Sequence, residues 1–386
     1  MRLMFVVFKL NFKSGGGACY ELDAKINALL KLGHVATVVT LFSSQNKLAA
    51  NLKYKIIEEQ VKTHHFLDIQ KKVCFLLRKY QNEADIFHVD GQFGYGSGWY
   101  RLRGGKAPVL AHFNRELSFF PESTRKTIAP PPFSLKKKLR FIFERFFCFP
   151  IMNHNNLFTF TSPLLQELYI KYGIKRRKTM AMPDFFDSQE LQKNINPSEI
   201  IKLRSEQKKQ WTIICGGRIV SEKGFDIVIR ALANLKQPER FKLIITGSGP
   251  EEENLKQLAR NLKVDSLVNF TGWLVKEEVY KLFQQADIFV IPRWRPELTS
   301  MLVLEAMAFM VPYIVTKNTA LSWQAGDSAL MFEDENYKQL SELIELLAGD
   351  AELRIKLINN GLRRLGELDC QAIAPKLNES LLGLTK

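Results

Sequence analysis

Two cations, two carboxylates and several glycines fall at spacings that suit a phosphorylated ligand. The run Gly216-Gly217-Arg218-Ile219-Val220-Ser221-Glu222-Lys223-Gly224 flanks one turn with Arg218 and Lys223. Glycine lets backbone approach a ligand closely, and two positive side chains beside such a turn match a diphosphate. A turn with solvated charges reads the same way in isolation. Gly247-Ser248-Gly249 is a second glycine pair, but Glu252 stands where the dinucleotide fingerprint needs its third glycine, which argues against NAD. Glu297 precedes the apolar run Met301-Leu302-Val303-Leu304-Glu305-Ala306-Met307-Ala308, and Glu305 lies inside it. A carboxylate in an apolar helix is costly to bury without a partner. Two helical turns rise about 12 Å, so the two carboxylates can hold different parts of one long ligand. The alternative is one exposed glutamate and one paired to a nearby lysine. Amides of Thr299, Ser300 and Met301 at the helix start are expected to be open to an anion.

These residues need a scaffold of strand ends. Leu3–Phe8 is a short apolar run of the kind buried on both faces of a parallel sheet. Ser14-Gly15-Gly16-Gly17 breaks it, a helix with Leu22, Ile26, Leu29 and Leu30 on one side follows, and Val35–Leu41 is the next strand. Residues 85–89, 108–112 and 157–162 read as further strands, with a helix opened by Ser162-Pro163 and stopped at Gly173. Residues 188–210 read as a polar linker with a short helix. The alternation then restarts, with strands over 211–215, 241–246, 267–270, 287–291 and 312–316 and helices over 224–235, 250–262, 276–285 and 300–309. This predicts an α/β chain of two doubly wound, Rossmann-like units, followed by a helical tail.

Composition limits what such a chain does. At 386 residues it has room for two domains, and 46% hydrophobic with 25% charged residues fits a soluble globular protein with real cores. A formal charge of +15 favours an acidic partner: nucleic acid, anionic lipid or a phosphorylated substrate. Five widely spaced cysteines without a CxxC suggest neither a disulfide framework nor a zinc site, and reduced thiols in the cytoplasm are the simple expectation. No apolar run reaches the roughly 20 residues that cross a bilayer. No D-x-D triplet occurs, so no metal site of that type and no cofactor are expected.

Taken in order, these motifs resemble the retaining glycosyltransferase family 4 of GT-B fold. Glu297-Leu-Thr-Ser-Met-Leu-Val-Leu-Glu305 fits its E-x7-E motif, Gly217-Arg218…Glu222-Lys223-Gly224 its diphosphate turn, and Gly247-Ser-Gly-Pro the next strand end. Phe270-Thr-Gly272-Trp273, Ala286-Asp287-Ile-Phe-Val-Ile-Pro292, Gly15-Gly16-Gly17 and Gly33-His34-Val35 also fall in register. The resemblance implies an N-terminal acceptor-binding domain over 1–190, a donor-binding domain over 191–369, and a helix of about 370–386 packing back on the first, with the site in the cleft between them. It implies that Arg218 and Lys223 neutralise the leaving diphosphate, Glu305 holds the ribose, Glu297 meets the donor sugar, and Trp273 and Leu274 lie near the base. Gly16, Gly17, Gly217, Gly247, Thr299, Ser300 and Met301 would line the donor, and His112 would act at the cleft, with His88 a weaker candidate of the same kind. The expected reaction moves a hexose from a nucleotide-diphosphate sugar to a glycan or lipid-linked acceptor, in polysaccharide or lipopolysaccharide synthesis. A non-catalytic sugar-nucleotide binder and a GT-B epimerase are the alternatives.

The chain departs from the family pattern at Met310, where a helix-ending glycine is usual, and at Thr299-Ser300, Trp323, Asp184-Phe185 and Arg293-Trp294-Arg295. These put the donor sugar in doubt more than the class. Residues 133–149 carry five basic residues among six phenylalanines, between Pro132 and Pro150. That stretch reads either as a helix lying on the anionic inner face of a membrane or as an ordinary packed helix. Nucleic acid is not expected, because no binding motif accompanies the charge.

Overall fold

Every residue of the first strand except Arg2 is buried, as continuous apolar runs require when helices cover both faces of a parallel sheet. The computed structural model describes residues 1–13, 17–115, 139–140, 142–193, 195–292 and 298–385. Two compact units emerge: Met1–Asp187 with Glu297–Thr299 and Leu368–Lys386, and Ser188–Pro296 with Ser300–Glu367.

The first unit holds β1 (Arg2–Val7), β2 (Val35–Thr40), β3 (Lys55–Glu58), β4 (Ile86–Asp90), β5 (Val109–Phe113), β6 (Leu157–Phe160) and β7 (Thr179–Ala181). They form one parallel sheet in the order β3-β2-β1-β4-β5-β6-β7. The helix Cys370–Thr385 packs on the helix Gly17–Lys31 in this unit, burying Ile373, Leu377 and Leu381 with Leu22, Ile26 and Leu29. Asn378 Oδ1 meets His34 Nε2 at 2.8 Å. The second unit holds β8 (Trp211–Gly216), β9 (Phe241–Thr246), β10 (Val268–Gly272), β11 (Ile288–Ile291), β12 (Tyr313–Thr316) and β13 (Leu330–Phe332). These are also all parallel, in the order β10-β9-β8-β11-β12-β13.

In each sheet the chain starts in the middle, builds outward on one side, then returns to the other side of its first strand. The reversal lies between β1 and β4 in the first sheet and between β8 and β11 in the second. Ligands of open α/β sheets bind outside the carboxyl ends of the strands at such a reversal.

Several elements differ from the sequence expectation. Edge strands β3, β7 and β13 are three or four residues long and half-exposed, so they carry no apolar run. The helix Gly94–Leu102, which contains Gly94, Gly96 and Gly98, is not among the expected helices. The fold needs two of these glycines for close approach: a Cβ on Gly96 would stand 2.4 Å from the Gln70 carbonyl oxygen, and one on Gly98 2.3 Å from that of Ile151. The linker carries two short helices, Ser188–Gln192 and Pro197–Ser205, the second capped by Asn196.

Candidate functional site

In the second unit the strand-end turns are laced together through backbone. Gly217 N–H donates to Thr246 O at 3.0 Å, Ile219 N–H to Ser248 O at 2.9 Å, and Gly247 N–H to Gly272 O at 2.8 Å. Gly217 and Gly247 adopt φ of +130° and +122°, which L side chains rarely tolerate. A Cβ on Gly247 would lie 2.0 Å from Gly217 O, one on Gly249 2.1 Å from Ile219 O, and one on Gly224 2.2 Å from Pro292 O. Lys223 lies beside Gly217, its Nζ 3.8 Å from where a Cβ on that glycine would stand. Arg218 is exposed on the same turn. Both cations therefore follow β8, beside the reversal of the sheet.

Glu305 is buried on the helix Met301–Ala308, after β11 across the same reversal. Burial pushes its carboxyl up to about 7, opposed by the positive charge of Lys276. Among the described residues no hydrogen bond is donated to this carboxylate, which leaves it ready for a ligand hydroxyl. Trp273 is half exposed and Leu274 half-buried just beyond β10. The helix start differs from expectation. Ser300 N–H is not open, because it donates to Gln324 Oε1 at 3.0 Å. Thr299 falls in the first unit, where its hydroxyl donates to Asp184 Oδ2 at 2.6 Å. Gly16 and Glu297 lie outside the described residues, so the E-x7-E spacing has only its second member in view. Gly17 opens its helix in the first unit.

The first unit carries a cavity of about 460 Å³ at the carboxyl ends of β1, β4 and β5. His112 lies on it, buried, with Nδ1 2.9 Å from Thr159 Oγ1 and Nε2 without a hydrogen-bond partner. Burial, the positive charge of Lys25 and then His88 hold His112 well below the ordinary imidazole range. His88 is lowered in the same way, by burial and Lys25. Both rings are neutral at neutral pH. Lys25 itself is buried, with Nζ 2.9 Å from Glu21 Oε1, one helical turn earlier. Glu21 Oε1 stands 4.0 Å from His112 Nε2, too far for a hydrogen bond. Burial also raises Asp90, against the pull of Arg115.

Sequence reasoning missed Glu21, Lys25, Asp90 and Arg115. One signal was present: Lys25 falls three residues after Leu22 and four before Leu29, on the apolar stripe rather than beside it. Among the described residues, Asp187, Asp369 and Cys370 bring possible metal-ligating atoms within 4.8 Å of one another. Asp369 already caps a helix through Gln371 N–H, and burial pushes the Cys370 thiol up to about 12, so it stays protonated.

Residues 198–364 match the family model for glycosyl transferases group 1. An α-monoglucosyldiacylglycerol synthase of Streptococcus pneumoniae is 25% identical over 248 residues, 63% of this chain and 54% of that protein. The lipopolysaccharide core biosynthesis glycosyltransferase LpsE of Rhizobium meliloti is 31% identical over 160 residues, 41% of this chain and 45% of that one. The chain thus spans about half the length of the curated relatives it matches. Among solved structures, Anabaena HepE in complex with UDP superposes with a TM-score of 0.74 at 18% identity, over 99% of this chain and 100% of that one. WaaG, a glycosyltransferase of lipopolysaccharide biosynthesis, gives 0.70 at 16% identity, over 99% and 100%. At such identities the superpositions establish the fold, which is GT-B. Residues 198–364 thus resemble the group 1 glycosyl transferases in sequence, and the chain has the GT-B fold.

Proposed function

We propose that the protein is a retaining glycosyltransferase that moves a hexose from a nucleotide-diphosphate sugar to a glycan or lipid-linked acceptor, in the synthesis of cell-surface polysaccharide or lipopolysaccharide. The observation that carries this reading is the laced glycine turn, with Lys223 near Gly217 and Arg218 on the same turn, at the reversal of the second sheet. Breaking a sugar–phosphate bond builds negative charge on the leaving group, and fixed cations act most strongly where that charge develops. Glu305 would take the ribose hydroxyls, and Trp273 and Leu274 the base. The UDP bound by the structural relative HepE supports a nucleotide-sugar donor. His112, neutral and with Nε2 open, would accept a hydrogen bond from a sugar hydroxyl or donate one, according to its tautomer. Glu297 would meet the donor sugar, as the resemblance implies.

The test is a panel of UDP-, GDP- and ADP-sugars scored for thermal stabilisation and for donor hydrolysis. One nucleotide class should stabilise the chain and its sugar should be released with the anomeric configuration kept. Stabilisation without any hydrolysis or transfer would make the protein a binder, and silence across the panel would sink the reading.

A peripheral place on the cytoplasmic face of a membrane belongs to the same proposal. Leu139, Ile142, Phe143, Phe146 and Phe147 expose apolar side chains between 36% and 64%, and Arg140 and Arg145 share the stretch. Lys136, Lys137, Lys138 and Phe141 lie outside the described residues. Among the described residues no helix is long and apolar enough to cross a membrane. Binding to anionic vesicles should be substantial at low salt and reduced, not abolished, at high salt, because screening weakens charge and leaves apolar burial. Wild-type protein that ignores such vesicles at low salt would return this stretch to an ordinary surface helix.

A further inference from the structure

The stretch after Arg140 holds one acidic residue that neither membrane contact nor donor chemistry uses. Glu144 opens a π-helical turn, Glu144–Cys148, closed by Phe149 N–H donating to Glu144 O. Pro150 follows, lacks an N–H, and cannot donate to the carbonyl four residues before it, so an α-helical ladder would be broken there in any case. Such wide turns are frequent at functional sites. Here the turned side chain is buried. Glu144 Oε1 accepts from Arg140 Nε at 2.8 Å, while Oε2 is buried with no hydrogen-bond partner.

That carboxylate lines a second cavity of the first unit, about 280 Å³ in volume. Phe66, Phe93, Tyr95 and Phe149 wall it, with the Phe66 and Tyr95 rings stacked 5.9 Å apart. Phe8, Gln92 and Arg115 line both this cavity and the one that carries His112. The space is far larger than a water, whose share of liquid volume is about 30 Å³, and close to the roughly 300 Å³ lower end of ligand pockets.

An occupant must satisfy an open, buried carboxylate oxygen and an aromatic wall together. A hydrocarbon chain fits the wall but leaves the oxygen unpaired, and an unpaired buried charge is costly. An anion would meet Arg115 and Arg140 on the wall but has no hydrogen to donate to the open oxygen, which it would leave unpaired. A pyranose ring offers both surfaces: hydroxyl donors at its edge and an apolar face of C–H groups. We propose that this cavity is the subsite for a sugar ring of the acceptor, with Glu144 Oε2 accepting one of its hydroxyls and the aromatic wall taking its apolar face. The proposal rests on the glycosyl-transfer reading and names the acceptor class for it. It also accounts for the shared wall, since a ring seated here adjoins the cavity of His112. Glu144 is then a specificity-determining residue.

The experiment is saturation-transfer NMR on the full chain with the methyl glycosides of glucose, galactose, mannose and N-acetylglucosamine, with sodium decanoate as the hydrocarbon probe. Calorimetric titration with UDP and GDP runs alongside. At least one glycoside should receive saturation and decanoate none. Glu144→Gln keeps the shape and an acceptor for Arg140, and it should weaken that glycoside at least about tenfold through loss of a charge-assisted hydrogen bond. Phe66→Ala, which trims a partly exposed ring at the start of its helix, should weaken it severalfold. Nucleotide affinity should be unchanged in both variants. Contact with none of the glycosides, contact with decanoate in their place, or equal glycoside affinity in Glu144→Gln would each overturn the subsite. Failure of wild type to bind any nucleotide would instead strike the transfer reading, and the glycoside result would still decide the cavity.

Discussion

In the second unit the strand ends meet through backbone: amides of Gly217, Ile219 and Gly247 bond across to the neighbouring turns, and the cations stand at the rim. In the first unit they meet through side chains, with Glu21, Lys25, His88 and His112 buried under a cavity. The first device fails when a methyl is added. The second holds charge away from water, and its cost appears as pH-dependent stability. A backbone site fixes where a ligand's phosphates go, whereas a buried ionic site fixes which protonation state a ligand meets.

The strongest way to break this contrast is Lys25→Met. It leaves Glu21 buried without its cation and should cost about 3–5 kcal/mol in urea unfolding, with most of the loss recovered by adding Glu21→Gln. NMR titration of the same variants should show His88 and His112 moving back toward the ordinary imidazole range, though not reaching it, because burial is the larger cause of the shift. In wild type these two rings refuse protons that the unfolded chain accepts, so they subtract stability as pH falls below about 6.5. A Lys25→Met loss below about 0.5 kcal/mol, the range of surface changes, would show that the pair carries nothing.

Glu305 sharpens the contrast from the other side, since among the described residues it is the one buried titratable group assigned to the second unit's site. Its folded carboxyl titrates near 7 against an ordinary 4.5, so the cost of ionising it accumulates between those pH values and stays constant above them. Glu305→Gln should therefore stabilise the ligand-free protein at pH 8, by up to about 3 kcal/mol, and by almost nothing at pH 4.5. The same variant should bind free nucleotide more weakly. Unchanged nucleotide affinity would remove Glu305 from the site, and a pH-independent gain would remove the buried charge as the cause.

Gly247→Ala tests the lacing itself. With φ at +122° and a Cβ position 2.0 Å from Gly217 O, it should lose at least about 2 kcal/mol. Gly33→Ala, at φ +84° with nothing within 4 Å, should lose only about 1 kcal/mol. Equal losses in thermal melts would mean that backbone strain, not the neighbouring turn, is what glycine serves. At the rim the effect is expected on rate: Arg218→Ala and Lys223→Ala should each lower turnover at least about tenfold, over 1.4 kcal/mol of transition-state stabilisation. Wild-type rates in both would end the phosphate role.

The same difference explains what the sequence revealed. Five of the six strands of the second unit and its glycine turns were readable, the turns because sterics allow little else at those positions, and the restriction is local. Met310 shows the limit. Its left-handed backbone, at φ +52°, is where the family's glycine implies a helix cap, but its side chain is 1% exposed, so a glycine there would relieve strain and open a hole. Glu144 and Glu21 were unreadable for another reason: what makes each unusual is the company brought to it by distant elements, Phe66 and Tyr95 for one, His112 for the other. Short edge strands such as β3 and β7 escaped because half-exposed residues alternate too weakly to mark them.

The laced turns also bear on how such a chain can be inherited. Three loops that hold one another by amide-to-carbonyl bonds form a knot whose members cannot change length separately, because an inserted residue in one withdraws a partner from the next. Sequence change in this unit should therefore fall on side chains at exposed positions such as Trp273, while the loops keep their lengths.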